Sequence, residues 1–138
     1  MVQQRANTGM SWWVQLVAII GALLTGAGGV IALARPAMLV APQAEISSAA
    51  HIFAGYFAAR NLALACLLLL LLAMRAHRAL GQLLALCGLI QFVDVVMDCV
   101  EGRWPIVPGV LVLGLLFLLA ASKLCRNPLW RRGAWMES

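Results

Sequence analysis

Three ionisable residues stand inside long apolar stretches of this sequence: Arg60, Asp94 and Asp98. The two carboxyl groups are four residues apart, so on a helix they lie one above the other. In a low-dielectric environment they do not both ionise readily, and one can hold a proton while the other, paired with an arginine, stays charged. An acid and a base in one pocket predict acid–base chemistry such as isomerisation, cyclisation or epoxide opening.

Each of the three residues has an expected catalytic role in such a reaction. We expect Asp94 to be the base or the ion-paired carboxylate and Asp98 to be the proton donor. Arg60 would stabilise a developing oxyanion or a leaving oxygen. The alternative is a structural ion pair that fixes the register of two helices.

The composition places these charged residues in a membrane. Of the 138 residues, 64% are hydrophobic and 11% are charged, whereas roughly 25% are charged in a soluble domain. A water-soluble protein of this size could not bury so much apolar surface. We therefore predict an all-α integral membrane protein, a single transmembrane domain over residues 1–138.

Four apolar segments predict a bundle of four membrane-spanning helices. The predicted spans cover residues 12–34, 51–74, 80–100 and 106–122, and a basic, aromatic tail over residues 123–138 would lie on the membrane surface. In the first span, small residues recur every four positions and predict a face that another helix approaches closely. They are Gly21, Thr25 and Gly29.

The formal net charge of +5 is explained by membrane topology, because the basic residues stand at the ends of the apolar segments. With four spans, one side carries Arg5, the basic residues of 75–78 and the tail. The other side carries Arg35, Arg103, Glu45 and Glu101. The positive-inside rule then predicts that both termini are cytoplasmic. A basic face with interleaved aromatic residues is absent from the sequence, so nucleic acid is not an expected partner.

The position of Arg60 in the second span calls for a partner. It lies about nine residues into the span, roughly 13–15 Å deep. A lone arginine there costs at least ~2.5–3.5 kcal/mol on insertion scales. The third span offers acidic partners on a polar stripe of about 80°. The stripe consists of Cys87, Gln91, Asp94, Asp98 and Glu101.

Side chains on a helix lean toward its N-terminus, and the second and third spans are antiparallel. Arg60 and Asp94 therefore lean toward each other, and we predict that they form an ion pair.

Four further residues are candidates for substrate binding. Tyr56 is one helical turn from Arg60 on the same face, and it serves equally well as a packing group. Asn61 is a candidate for the site or for a contact between helices. Gln91 and Glu101 belong to the stripe of Asp94. The sequence holds no phosphate loop, dinucleotide fingerprint or convincing metal motif, and we expect neither a cofactor nor a metal.

Two segments carry a resemblance to a known group of proteins. The segments GYFAARNLALA (residues 55–65) and IQFVDVVMD (residues 90–98) resemble small four-helix membrane proteins that are loosely grouped with the DoxX-like families. The resemblance covers residues 12–122. It implies a four-helix bundle with Arg60 and Asp94 as the shared polar pair. It implies no single activity, since some members are associated with quinone-linked redox complexes and others sit beside biosynthetic enzymes.

The leading functional hypothesis is a small membrane enzyme that performs acid–base chemistry on an apolar small molecule entering from the lipid bilayer. A second hypothesis is an accessory or interaction subunit of a quinone-linked or biosynthetic membrane complex. A third is a small transporter or proton pathway, for which so short a chain would form a homo-oligomer.

Overall fold

The computed structural model describes residues 9–39 and 47–125, and every regular element in these ranges is helical. The four α-helices are α1 (Trp12–Ala34), α2 (Ser48–Ala73), α3 (His77–Val100) and α4 (Val107–Cys125). A short 3₁₀ helix (Pro36–Leu39) follows α1. Each α-helix is long and apolar enough to cross a membrane. The predicted all-α architecture of four such helices is confirmed.

The helices alternate in direction, so the bundle has two ends. We name them after two exposed tryptophans. The Trp12 end holds the start of α1, the turn between α2 and α3, and the end of α4. The Trp104 end holds the 3₁₀ helix, the start of α2 and the turn between α3 and α4. The side chains of Trp12 and Trp104 are 75% and 64% exposed, as expected for aromatic residues at the two interfaces of a membrane.

The helix boundaries differ from the predicted ones by three residues at the starts of α2 and α3 and at the end of α4. Helix α2 begins at Ser48 because the Ser47 hydroxyl accepts a hydrogen bond from the Ala50 N–H at 3.2 Å, which caps the first turn. Helix α3 begins at His77, so half of the predicted basic turn belongs to its first helical turn. The predictions for Arg5, for Glu45 in the loop and for residues 126–138 of the tail lie outside the described residues.

The strongest packing is between helices of two pairs, α1 with α2 and α3 with α4, and small residues explain both. A Cβ added to Gly29 would lie 3.2 Å from the Ala58 carbonyl oxygen of α2. A Cβ added to Gly88 would lie 3.1 Å from the Gly114 carbonyl oxygen of α4. Between apolar helices in lipid, such close backbone approach supplies the packing contacts that stabilise association. The predicted role of Gly29 is confirmed.

The two pairs join through a core to which all four helices contribute. The Phe117 ring is fully buried, and its edge occupies the space where a Cβ of Gly21 would be. Leu68, Leu80 and Leu84 complete this core from α2 and α3. The core therefore lies toward the Trp12 end of the bundle.

Helices α2 and α3 pack against each other far less extensively than either packs within its pair, although only a tight turn separates them. Arg75 adopts the left-handed conformation there, with φ of 54°. The Arg75 and Ala76 N–H groups donate to the carbonyl oxygens of Leu72 and Leu71 at 3.1 and 3.0 Å, which is a Schellman motif. The turn closes tightly at the Trp12 end, and the two helices are free to diverge beyond it.

Candidate functional site

Arg60 and Asp94 form the predicted ion pair across α2 and α3. The Arg60 Nη2 atom lies 3.9 Å from Asp94 Oδ1, too far for a hydrogen bond. The two side chains are 43% and 35% exposed. The pair thus lies on the flank of the bundle, where α2 and α3 separate. We name the surface formed by Phe57, Arg60 and Asp94 the α2–α3 seam.

The length and direction of the arginine side chain explain why these two residues meet. Counted from the turn that joins the helices, Arg60 lies roughly 20 Å along α2 and Asp94 roughly 26 Å along α3. The Asp94 backbone is therefore about 6 Å nearer the Trp104 end. The Arg60 side chain leans toward the start of α2, which is also toward the Trp104 end, and its length spans the offset.

Phe57 is a member of the site that sequence reasoning missed. The Arg60 guanidinium carbon lies 5.3 Å from the centroid of the Phe57 ring, within range of a cation–π interaction. The two residues are three positions apart on α2, and this spacing was the available signal. The ring covers one face of the guanidinium and leaves its edge free for an anionic or carbonyl oxygen.

Asp98 has an arginine of its own, whereas the sequence predicted an ion-pair partner only for Asp94. Arg103 Nη1 lies 3.4 Å from Asp98 Oδ1, and the Asp98 side chain is only 12% exposed. The same Nη1 atom lies 4.0 Å from Glu101 Oε2, so the guanidinium bridges two acids.

The turn that ends α3 brings Arg103 to Asp98. Gly102 has φ of +72°, and its N–H donates to the Cys99 carbonyl oxygen at 3.2 Å. The Arg103 N–H donates to the Asp98 carbonyl oxygen at 2.8 Å, completing a Schellman motif. In this motif the residue after the glycine lies beside the residue five positions earlier. The glycine that follows the apolar run was therefore a readable signal for the pair.

The predicted polar stripe of α3 is divided between two neighbours. Asp94 meets Arg60 of α2. By contrast, a Cβ added to Gly114 of α4 would lie 3.0 Å from the Gln91 Cβ. The Gln91 Cβ therefore lies in the contact between α3 and α4. This packing does not support the prediction that Gln91 lines the site beside Asp94. Glu101 is exposed at the Trp104 end, where it reaches Arg103.

Two candidates on α2 lie apart from the ion pair. Asn61 is buried, and its Nδ2 atom would be 3.6 Å from a Cβ on Gly28 of α1. Asn61 therefore belongs to the α1–α2 contact, which was the alternative interpretation, and its assignment to substrate binding stays a prediction. Tyr56 is 71% exposed on the outside of α2. It lies one helical turn from Arg60 on the same side of α2, and its side chain is free to contact a molecule that binds at the seam.

The arrangement is a chain of two acid–arginine pairs that leads from the middle of α2 to the Trp104 end. The order is Arg60, Asp94, Asp98 and Arg103, and successive helical turns of α3 carry the two acids. Chemically, it offers two carboxylates in different surroundings and a guanidinium with free donor groups. Within residues 9–39 and 47–125, no group of three His, Cys, Asp or Glu side chains is placed to hold a metal ion.

Comparison with known proteins supplies no relative for this chain. No protein-family model matches it, no curated protein is similar to it in sequence, and no solved structure matches its fold.

Proposed function

We propose that this chain is a small multi-pass membrane enzyme that performs acid–base chemistry on an apolar molecule bearing one polar oxygen. The observation that carries the proposal is the exposed Arg60–Asp94 pair, at 3.9 Å and without a hydrogen bond. Charged residues within membrane spans are costly and are usually retained for function. A pair held at this distance keeps donor and acceptor capacity for a substrate oxygen.

The surroundings of the two carboxylates support an exchange of the roles expected from sequence. Asp98 Oδ1 lies 3.4 Å from Arg103 Nη1, the shorter of the two acid–arginine distances, and we assign Asp98 the role of proton acceptor. Asp94 is held at a longer distance from its arginine and is the proton donor. Arg60 binds the substrate oxygen, where its guanidinium stabilises developing negative charge.

The proton balance distinguishes the three reactions that fit. In isomerisation or cyclisation, Asp94 delivers a proton to the substrate and Asp98 removes one from a carbon, so the elemental composition does not change. In epoxide opening, Asp94 protonates the epoxide oxygen and Asp98 takes a proton from the attacking water, so the product gains one water molecule. The two carboxyl groups exchange protonation states in the step, and return of the proton through solvent at the Trp104 end resets them.

The test is a comparison of lipid-soluble metabolites in host cells that express the wild type, Asp94→Asn, Asp98→Asn or Arg60→Gln, with Cys66→Ser as a matched control on the exposed side of α2. We expect a compound pair, related by zero or one water in mass, whose ratio changes in the three site variants and not in the control. Equal protein amounts in the membrane fraction are required for each comparison. If all four variants give the wild-type ratio, the proposal is wrong.

We propose further that both termini lie on the cytoplasmic side. Arg75 and Arg78 are at the Trp12 end, whereas Arg35 and Arg103 are at the Trp104 end and Arg103 is paired with acids. Reporter fusions at each terminus and in the loop after Pro36–Leu39 test this orientation. We also propose that the chain is related to the DoxX-like families. Residues 55–65 and 90–98 carry this resemblance, and they contain Arg60 and Asp94.

A further inference from the structure

The Arg60–Asp94 pair is placed where a membrane protein rarely leaves charge. Both residues lie well inside helices that are apolar enough to span a bilayer, yet their side chains are 43% and 35% exposed on the flank of a single chain. Charged groups in membrane spans nearly always face the inside of a bundle or a water-filled cavity. The seam is therefore a surface that has yet to be covered.

We propose that a second copy of this chain packs on the α2–α3 seam, so that the Arg60 of each copy faces the Asp94 of the other. The guanidinium and the carboxylate lie side by side on two antiparallel helices at one depth, because the arginine leans toward the Trp104 end. A two-fold axis parallel to the helices and passing between the two copies places the Arg60 of each copy opposite the Asp94 of the other. Four charges then alternate around the axis, and each has two opposite neighbours.

This charge pattern selects a second copy over an unrelated partner. A partner must present an acid opposite Arg60 and a base opposite Asp94 at the same spacing and depth, and this chain presents that surface itself. Isologous interfaces of this kind are the commonest in symmetric oligomers. In lipid the gain is large relative to water, because the alternative for each charge is contact with hydrocarbon.

The side chains around the pair fit a helix-packing surface. On α2, exposed residues follow Arg60 in both directions at spacings of three and four, which is the repeat that packs along a neighbouring helix. The row consists of Phe53, Tyr56, Arg60, Ala63 and Leu67. Phe53 and Tyr56 are 70% and 71% exposed and supply aromatic area at the edge of the charge cluster.

The inference goes beyond the proposed chemistry and does not depend on turnover. It does add to the site, because the second copy would close the open side of the seam. Association is measured without substrate, and metabolite conversion is measured without reference to association. A failure of one is therefore distinguishable from a failure of the other.

The experiment uses charge reversal in two differently tagged full-length chains. Arg60→Asp gives a chain with two acids at the seam, and Asp94→Arg gives a chain with two arginines. Each is expressed alone with both tags, or together with the other, and capture through one tag in mild detergent is scored by the amount of the second. The matched control is Glu101→Arg, which makes the same change of charge as Asp94→Arg but at the exposed Trp104 end.

We expect wild-type chains and Glu101→Arg chains to capture their own kind. Each seam variant alone should capture itself at least about tenfold less, because like charges meet across the axis. Co-expression of Arg60→Asp with Asp94→Arg should restore capture, since two acids then face two arginines. Absence of self-capture by the wild type, undiminished self-capture by both variants, or no restoration in the mixture would each overturn the proposal.

A further variant distinguishes loss of association from loss of folding. The double exchange Arg60→Asp with Asp94→Arg in one chain restores the ion pair within the copy and between copies. We expect it to reach the membrane and to capture itself as the wild type does. If it is inserted at wild-type amounts and fails to self-capture, the alternating charges are not what holds the two copies together, and the inference is wrong.

Discussion

Arg103 binds Asp98 through both its backbone and its side chain. Its N–H donates to the Asp98 carbonyl oxygen at 2.8 Å, and its Nη1 atom lies 3.4 Å from the Asp98 carboxylate. The backbone contact requires the left-handed Gly102, so the glycine positions the ion pair. The end of α3 thus determines the surroundings of one of the two acids in the candidate site.

Replacing Gly102 by alanine should weaken this connection. A Cβ in the left-handed region costs roughly 1 kcal/mol, and we expect the free energy of unfolding in detergent to fall by about that amount. Circular dichroism during thermal or denaturant unfolding measures it. Gly109→Ala is the matched control, since no atom lies within 4 Å of its Cβ position and its φ is ordinary. Equal losses in both variants would contradict the role of the turn.

Replacing Arg75 by glycine should stabilise the protein. Arg75 holds φ of 54° in the turn between α2 and α3, a conformation that glycine adopts without a steric penalty. The expected gain is about 0.5–1 kcal/mol in the free energy of unfolding. Arg75→Ala removes the same charge and keeps the Cβ, so it should bring no gain. A similar gain in the alanine variant would assign the effect to charge.

Replacing Gly88 by valine should separate α3 from α4. Its Cβ position lies 2.9 Å from two Leu118 side-chain atoms and 3.1 Å from the Gly114 carbonyl oxygen. A larger side chain therefore forces the backbone of α3 away from the backbone of α4. We expect a loss of roughly 1–3 kcal/mol. Gly55→Val on α2 provides the comparison, because no atom lies within 4 Å of that Cβ position. Equal unfolding curves for the two variants would show that the close approach is wrong.

Replacing Asn61 by aspartate should reduce the amount of folded protein severely. Asn61 is 8% exposed and faces Gly28 and Gly29 of α1, which offer no charge to pair with a carboxylate. Burying an unpaired charge costs several kcal/mol, far more than burying an amide. Asn61→Leu, of similar size and uncharged, should remain folded. Membrane-fraction abundance and gel filtration report both outcomes, and a well-folded aspartate variant would place Asn61 elsewhere.

The sequence was sufficient to predict the four helices and the ion pair between Arg60 and Asp94. Four apolar segments fix the number of helices, and the lean of side chains on antiparallel helices brings the two charges together. Both arguments use only periodicity and direction, which do not depend on how tightly the helices pack.

The surroundings of Asp98 and Asn61 depend on tertiary contacts that no single segment encodes. Asp98 was expected near Arg60, yet the turn at Gly102 brings Arg103 closer. Asn61 was placed near the site, yet the glycines of α1 draw that face of α2 toward α1. The sequence also did not predict that the α2–α3 seam is open, because two helices joined by a tight turn normally pack closely. In this fold the close glycine contacts lie between α1 and α2 and between α3 and α4.

The most direct test of the account is a double-mutant cycle on Arg60 and Asp94 in isolated membranes, with formation of the metabolite that distinguishes wild-type cells as the measured rate. If the two residues act as one unit, Arg60→Gln, Asp94→Asn and the double variant should reduce the rate to about the same level, with protein amounts unchanged. Reductions that multiply in the double variant, or a wild-type rate in either single variant, would contradict a shared catalytic role for the pair.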